Sequence, residues 1–209
     1  MKYLSFLSKD EMQQIHNASL QILQKTGMKI DHLGALKKLI AAGAEVNFQT
    51  KVVKFPPKLI EKSLETMPQQ IVFAGRYPNN DIDLKVGGNI YCRTTSGPIT
   101  YLDLETDTYK RAKIDDMKQF AILGDALPNI NSNGTLHAED VPKQTADIHS
   151  LRVLFENTKK HIYAQAFSAK NLGYMIEMLL AIRGSKKDLI KRPLLHIVIG
   201  VISPLYIAS

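Results

Sequence analysis

The sequence predicts an α/β protein, with an α+β region over residues 1–113 and strands alternating with helices over residues 114–209. Three observations carry this reading. Apolar residues recur at helical spacing through the first sixty or so positions. Short β segments bounded by turn residues fill 71–112. After Ile114 the order becomes helix, strand, helix, strand, helix, strand, the grammar of a parallel sheet. At roughly 30 residues per unit, that order fits either a doubly wound sheet or a barrel.

The elements follow in order. Ser8-Lys9-Asp10-Glu11 forms a capping box, so a helix is expected from there to about Lys25, with Gly27 as its left-handed stop. Asp31 is expected to cap a second helix over 33–42, ended by Gly43. Residues 46–48 and 52–55 alternate around Gln49-Thr50-Lys51 and read as a hairpin, after which Pro57 opens a third helix. IVFAG, DIDLKV, NIYCRT, ITYLDL and TYKRA then suggest a meander or hairpin layer, broken by Gly87-Gly88, Ser96-Gly97-Pro98 and Glu105-Thr106-Asp107.

Beyond it, helices are expected over 115–127, 143–158 and 169–183, and strands over 130–136, 161–166 and 194–202. The last strand is the most apolar, and both of its faces are expected to be buried. Three parallel strands are few for either architecture, and an apolar strand at a sheet edge is a liability. The sheet reads as unfinished.

Composition narrows the function. A hydrophobic content of 44% and a charged content of 22% are those of a globular chain. The net charge of +7 is scattered in small groups interleaved with acids, without a zinc-finger, basic-zipper or aromatic RNA-binding signature, so no nucleic-acid partner is expected. The opening MKYLSFLSKDE has no signal-peptide pattern, and no apolar run is long enough to span a bilayer. With a single cysteine, Cys92, the expectation is a cytoplasmic protein with no membrane partner.

In parallel α/β folds, functional groups gather after the carboxyl ends of strands. The segment Thr135–Pro142 holds His137, a candidate proton handler or substrate contact, and Asp140, which is also explained as the N-cap of the following helix. After the next strand come Gln165, Phe167 and Ser168, the last read as a helix cap; Ser203 follows the final strand. His137, Asp140, Gln165, Phe167 and Ser203 are therefore the candidate substrate-binding residues. No Walker loop, Gly-x-Gly-x-x-Gly, His-Glu-x-x-His or cysteine pair occurs, and the six histidines have no metal spacing, so no metal is expected. Most of the histidines read as surface or satisfied core residues.

The series "LSKDEMQQIHNASLQILQKTGMKI", "ALKKLIAAGAEV", "VVKFPPKLIEKSLETMPQQIVFAGR", "YLDLETDTYKRAKIDDMKQFAILGDALPNI", "EDVPKQTADIHSLRVLFENTKKHI" and "RPLLHIVIGVISPL" resembles the trimethylamine methyltransferase family along essentially the whole chain. The resemblance implies the first part of a TIM-type barrel behind an amino-terminal α+β region. It also implies transfer of a methyl group from a tri- or quaternary methylamine to a corrinoid protein. Family members are more than twice as long, and their catalytic position falls beyond Ser209, so a truncated chain is expected and its catalytic residue is unknown. Asp31-His32-Leu33-Gly34 has the wrong spacing for the Asp-x-His-x-x-Gly motif of corrinoid carriers, which places the corrinoid on a separate partner. Tyr163, Phe167 and Tyr206 are candidates for an aromatic wall around a methylated ammonium, with core packing the plainer reading. The alternative to catalysis is a binding or assembly module that completes its sheet as a homo-oligomer.

Overall fold

The structure is a computed structural model that describes residues 6–95 and 97–208. The first five residues of the opening segment, and Ser96 of the expected turn at 96–98, lie outside the described residues. In chain order the elements are α1 (Lys9–Lys25), β1 (Met28–Ile30), α2 (Leu33–Ala41), β2 (Glu45–Asn47), β3 (Val52–Lys54), α3 (Pro57–Glu65), β4 (Gln70–Phe73), β5 (Ile82–Lys85), β6 (Cys92–Arg93), β7 (Thr100–Asp103), β8 (Thr108–Arg111), α4 (Ile114–Ala126), β9 (Ile130–Gly134), α5 (Ala146–Asn157), β10 (His161–Ala164), α6 (Ala169–Arg183), α7 (Lys186–Lys191), β11 (Leu195–Ile197) and β12 (Tyr206–Ile207). The chain forms two compact units. One takes the described residues up to Pro68 together with those from Gly200, and the other takes Gln69–Ile199.

In the first unit the sheet order is β12-β1-β3-β2. The capping box starts α1 as expected: Ser8 Oγ accepts from Glu11 N at 3.2 Å, and Ser8 N donates to the Glu11 carboxylate at 2.8 Å. Gly27 ends the helix at φ +72°, where a Cβ would come within 2.3 Å of the Val53 carbonyl oxygen, so the turn tolerates only glycine. Ile30, Leu36, Ala44, Val53 and Phe55 form the core, with Ile207 packed against it.

The expected Asp31 cap is corrected. His32 caps α2, its Nδ1 accepting from Ala35 N at 3.1 Å. Asp31 is drawn instead to Lys51 Nζ, 3.0 Å away, and to the Tyr206 hydroxyl. Tyr206 thus serves this sheet.

The second unit carries a sheet of order β11-β10-β9-β6, parallel throughout. Helices cover one face through Met117 and Ala121 of α4, Leu151 and Leu154 of α5, and Met175 and Leu179 of α6, which share one buried cluster with Ile162. Of the meander or hairpin layer expected over 71–112, the hairpins are present as β4–β5 and β7–β8, while β6 between them joins the parallel sheet. Contacts with the later strands bind these segments to the second unit. Arg76 N donates to Lys159 O at 2.7 Å, Thr94 N to Ser132 O at 3.1 Å, and Glu139 N to Ala112 O at 2.8 Å. The chain passes from one compact unit to the other after Pro68 and back after Ile199, whereas the sequence-based division falls between 113 and 114.

The strand expected over 194–202 keeps only β11. Its neighbour β10 ends at Ala164, whose carbonyl takes a last bond from Val198 N at 3.2 Å. Beyond that the ladder has no partner to follow, and Ile199 is 85% exposed, so the expectation of two buried faces fails. The helix expected over 143–158 begins as a 3-10 turn, Lys143–Thr145, and becomes α-helical at Ala146.

Candidate functional site

The loops after β9 and β10 meet at the carboxyl end of the parallel strands. Gly97 N donates to Thr135 O at 2.7 Å and His137 N to Pro98 O at 3.0 Å, which fastens residues 97–98 alongside the end of β9. Gly97 has φ +92°, and a Cβ there would lie 3.3 Å from His137 Nε2 and 3.8 Å from Gln165 Oε1. The absent side chain lets these two polar groups approach the same backbone.

Phe167 completes the group, its ring 4.9 Å from that of His137 and tilted by 60°. Buried Asp147 holds the loop: its carboxylate accepts from Phe167 N and from Asn171 Nδ2, each at 2.8 Å. Ser168 caps α6 as expected, accepting from Asn171 N at 3.1 Å.

His137 and Phe167 open onto a cavity of about 370 Å³ that also involves Ile99, Arg111, Glu139 and Lys143. His137 Nδ1 is buried and, among the described residues, has no hydrogen-bond partner. Burial lowers the His137 pKa, and the nearby Asp147 carboxylate opposes that shift. The cavity presents an imidazole whose neutral form burial favours and a half-exposed aromatic ring to a small molecule.

His137, Gln165 and Phe167 are thus brought together. Asp140 is not part of this group: its Oδ1 accepts from Ile114 N at 2.9 Å, so it caps α4 and not the helix that follows it in sequence. A 3-10 turn intervenes before α5, which removes the expected capping geometry. Ser203 belongs to the first unit and is exposed there.

A second cluster lies toward the amino ends of the strands and was missed by sequence reasoning. His161 Nδ1 is 3.0 Å from the Ala74 carbonyl oxygen, and His161 Nε2 is 2.9 Å from His196 Nδ1. The two rings are nearly parallel, at 7°, and Phe73 stacks on both, with centroids 4.8 and 4.7 Å away. Tyr163, buried on the same strand as His161, has the Arg93 guanidinium over its ring at 3.9 Å. The available signal was a histidine in each of two consecutive apolar strands, in "HIYA" and "LHI", where burial demands a polar partner.

Among the described residues, no group of three or more His, Cys, Asp or Glu side chains could hold a metal ion. No described helix is long and apolar enough to cross a membrane.

Comparison with known proteins places this geometry in context. The trimethylamine methyltransferase family matches over residues 1–209. The chain is 32% identical over 208 residues to the trimethylamine methyltransferase MttB of Desulfitobacterium hafniense, covering 99% of this chain and 42% of that protein. It is 27% identical to MttB of Methanosarcina barkeri, over 97% of this chain and 42% of that one. The glycine betaine methyltransferase of Desulfitobacterium hafniense is 24% identical, over 96% and 42%. The chain therefore spans well under half the length of these relatives, and by a family match running from its first residue to its last it belongs to the trimethylamine methyltransferase family.

Proposed function

We propose that this chain is the amino-terminal portion of a methyltransferase that moves a methyl group from a tri- or quaternary methylamine to a corrinoid protein. The observation that carries the reading is the family match over the whole chain, combined with coverage of only 42% of relatives named for trimethylamine or glycine betaine. The parallel strands of the second unit are then the opening strands of a TIM-type barrel, with β11 awaiting its next neighbour.

The cavity at His137 and Phe167 fits this role in position and size. A quaternary ammonium has no N–H to donate, so it is recognised through aromatic faces, carboxylates and shape. Phe167, 45% exposed, supplies an aromatic face, and Glu139 supplies a carboxylate. Arg111 and Lys143 line the same cavity and oppose a cation, so the remaining barrel strands are assigned the rest of the cage.

In the transfer, the N–C bond breaks with its electron pair left on the departing amine, while the corrinoid supplies the pair for the new bond to carbon. Holding donor and acceptor in line accounts for much of the rate. The corrinoid is carried by the partner protein, and no residue of this chain is assigned to hold it.

The reading is tested by recovering the native polypeptide from its source cells with an antibody raised against this chain. Its mass and its ability to methylate a reduced corrinoid protein are then measured. A polypeptide close to the relatives in length that transfers methyl from a tri- or quaternary methylamine is expected. A folded protein that transfers from neither class overturns the assignment, and a self-associating chain of 209 residues without transfer supports an assembly module instead.

A further inference from the structure

Asp147 stands in the first turn of α5 with 1% of its surface exposed. One carboxylate oxygen accepts from Phe167 N and the other from Asn171 Nδ2, each at 2.8 Å. Burying a carboxylate is costly unless hydrogen bonds replace its water, and the helix amino terminus adds a favourable dipole. Both donors are neutral, and none of the ion pairs among the described residues includes Asp147. The charge is therefore solvated but not cancelled. Its surroundings are also closed, because a cation from elsewhere could reach the carboxylate only by displacing Phe167 or Asn171. The strands that carry the adjoining loops, β9 and β10, each have a neighbour on both sides.

Phe167, whose amide this carboxylate holds, lines the cavity that it shares with His137, and so does Ala146, next to Asp147 in α5. The carboxylate is near enough to act on His137, whose pKa it pushes up against the larger effect of burial. Burial wins, so the imidazole favours its neutral form and leaves the charge standing. At the mouth, Arg111 and Glu139 offset each other at 3.9 Å with side chains 58% and 48% exposed, and Lys143 is exposed. Water and salt screen such groups. A charge in the interior, at an effective dielectric constant of about 20 rather than about 80, acts about four times more strongly at equal distance. Asp147 thus sets the sign of the potential at the inner end of the cavity.

We infer that Asp147 is a specificity-determining residue: without touching the ligand, its buried carboxylate makes the Phe167 end of this cavity select a methylated ammonium over an uncharged molecule of the same shape. A quaternary ammonium has no N–H, so a direct hydrogen bond to a carboxylate is not available to it. A charge held behind an aromatic ring attracts it at a distance and leaves the ring in contact. The inference rests on the proposed reading of this cavity as the amine site.

The test is a titration of the full chain with choline and with 3,3-dimethylbutan-1-ol, its uncharged carbon isostere, followed by NMR at the ring resonances of Phe167. Choline is expected to bind at least about tenfold more tightly. Asp147→Asn keeps the size of the side chain and an acceptor oxygen, and it should bring the two affinities to within about twofold of each other by weakening choline alone. Loosening of the loop by itself weakens both ligands equally, and that result overturns the inference, as does a parent chain that binds the two alike or binds neither. The preference should also survive about 1 M potassium chloride, since a buried charge is screened little. Its loss at high salt assigns it to exposed Glu139 and overturns the inference whether or not Asp147→Asn folds. Methyl transfer enters none of these measurements. Transfer without a charge preference overturns this inference alone, and a charge preference without transfer overturns the methyltransferase reading alone.

Discussion

Gly124 of α4 lies directly against Asn133 of β9, so closely that a Cβ on the glycine would sit 2.2 Å from Asn133 Oδ1. Asn133 is fully buried and donates to Thr158 Oγ1 at 2.9 Å, which ties the helix-facing side of the sheet to the start of the next strand. Helix propensity alone predicts that Gly124→Ala stabilises the protein by about 1 kcal/mol. Overpacking against Asn133 costs about 1–3 kcal/mol. A net loss of stability is therefore expected, read as a lower urea midpoint, and a gain would show that the helix relaxes away from Asn133.

The histidine pair makes stability depend on pH. Burial holds His161 down to about 4, from an ordinary value of 6.5, with the positive form of His196 adding to the effect and the Ala74 carbonyl opposing it. The folded value lies below the unfolded one, so within that window the unfolded chain binds a proton that the folded chain refuses. The stabilisation is complete above the unfolded value and is lost as pH falls toward the folded one. The whole window is worth about 3 kcal/mol. Hydrogen exchange at β10 across this pH range should show falling protection, and NMR titration of His161 near its ordinary value would contradict the assignment.

Asp147 is expected to be costly to replace. Asp147→Ala leaves the Phe167 amide without its acceptor and takes one of two acceptors from Asn171 Nδ2, which keeps the Gln144 carbonyl, and a loss of about 2–3 kcal/mol is expected. The Phe167 loop should also loosen. Denaturant unfolding measures the first effect, and faster amide exchange at Phe167 measures the second.

Arg192 grips Asp81 with two nitrogens, each 2.7 Å from a carboxylate oxygen. Lysine keeps the charge and loses the fork, so Arg192→Lys is expected to cost about 1 kcal/mol after allowing for partial solvent screening. Denaturant unfolding of the Arg192→Lys protein against the parent checks that figure.

Much of the local structure was legible because its causes are local. Ser8 and Glu11 specify α1 by a capping box, Pro57 opens α3, and Ser168 opens α6. The errors came where a distant partner decides. Cys92 and Arg93 look like part of a meander until β9 draws them into a parallel ladder. Asp140 looks like the cap of the next helix until the Ile114 amide claims it from the other side. His137, Gln165 and Phe167 could be nominated from their places after strands, and their meeting at Gly97 required the fold. His161 and His196 were overlooked because spacing along the chain says nothing of a pairing between adjacent strands.

The parallel ladder that joins Lys29 to Tyr206 and Ile30 to Ile207 has a consequence for biosynthesis. Translation is vectorial, and the ribosome delivers β1 long before β12. During that delay the entire second unit, Gln69–Ile199, is extruded as an uninterrupted stretch whose strands and helices find their partners locally in time. The first sheet must meanwhile wait with one flank of β1 open, and the Asp31 carboxylate has no phenol to receive. A nascent chain arrested before Tyr206 would therefore expose β1 to chaperones or to neighbouring polysomes, and only the emergence of Tyr206 and Ile207 would close that edge.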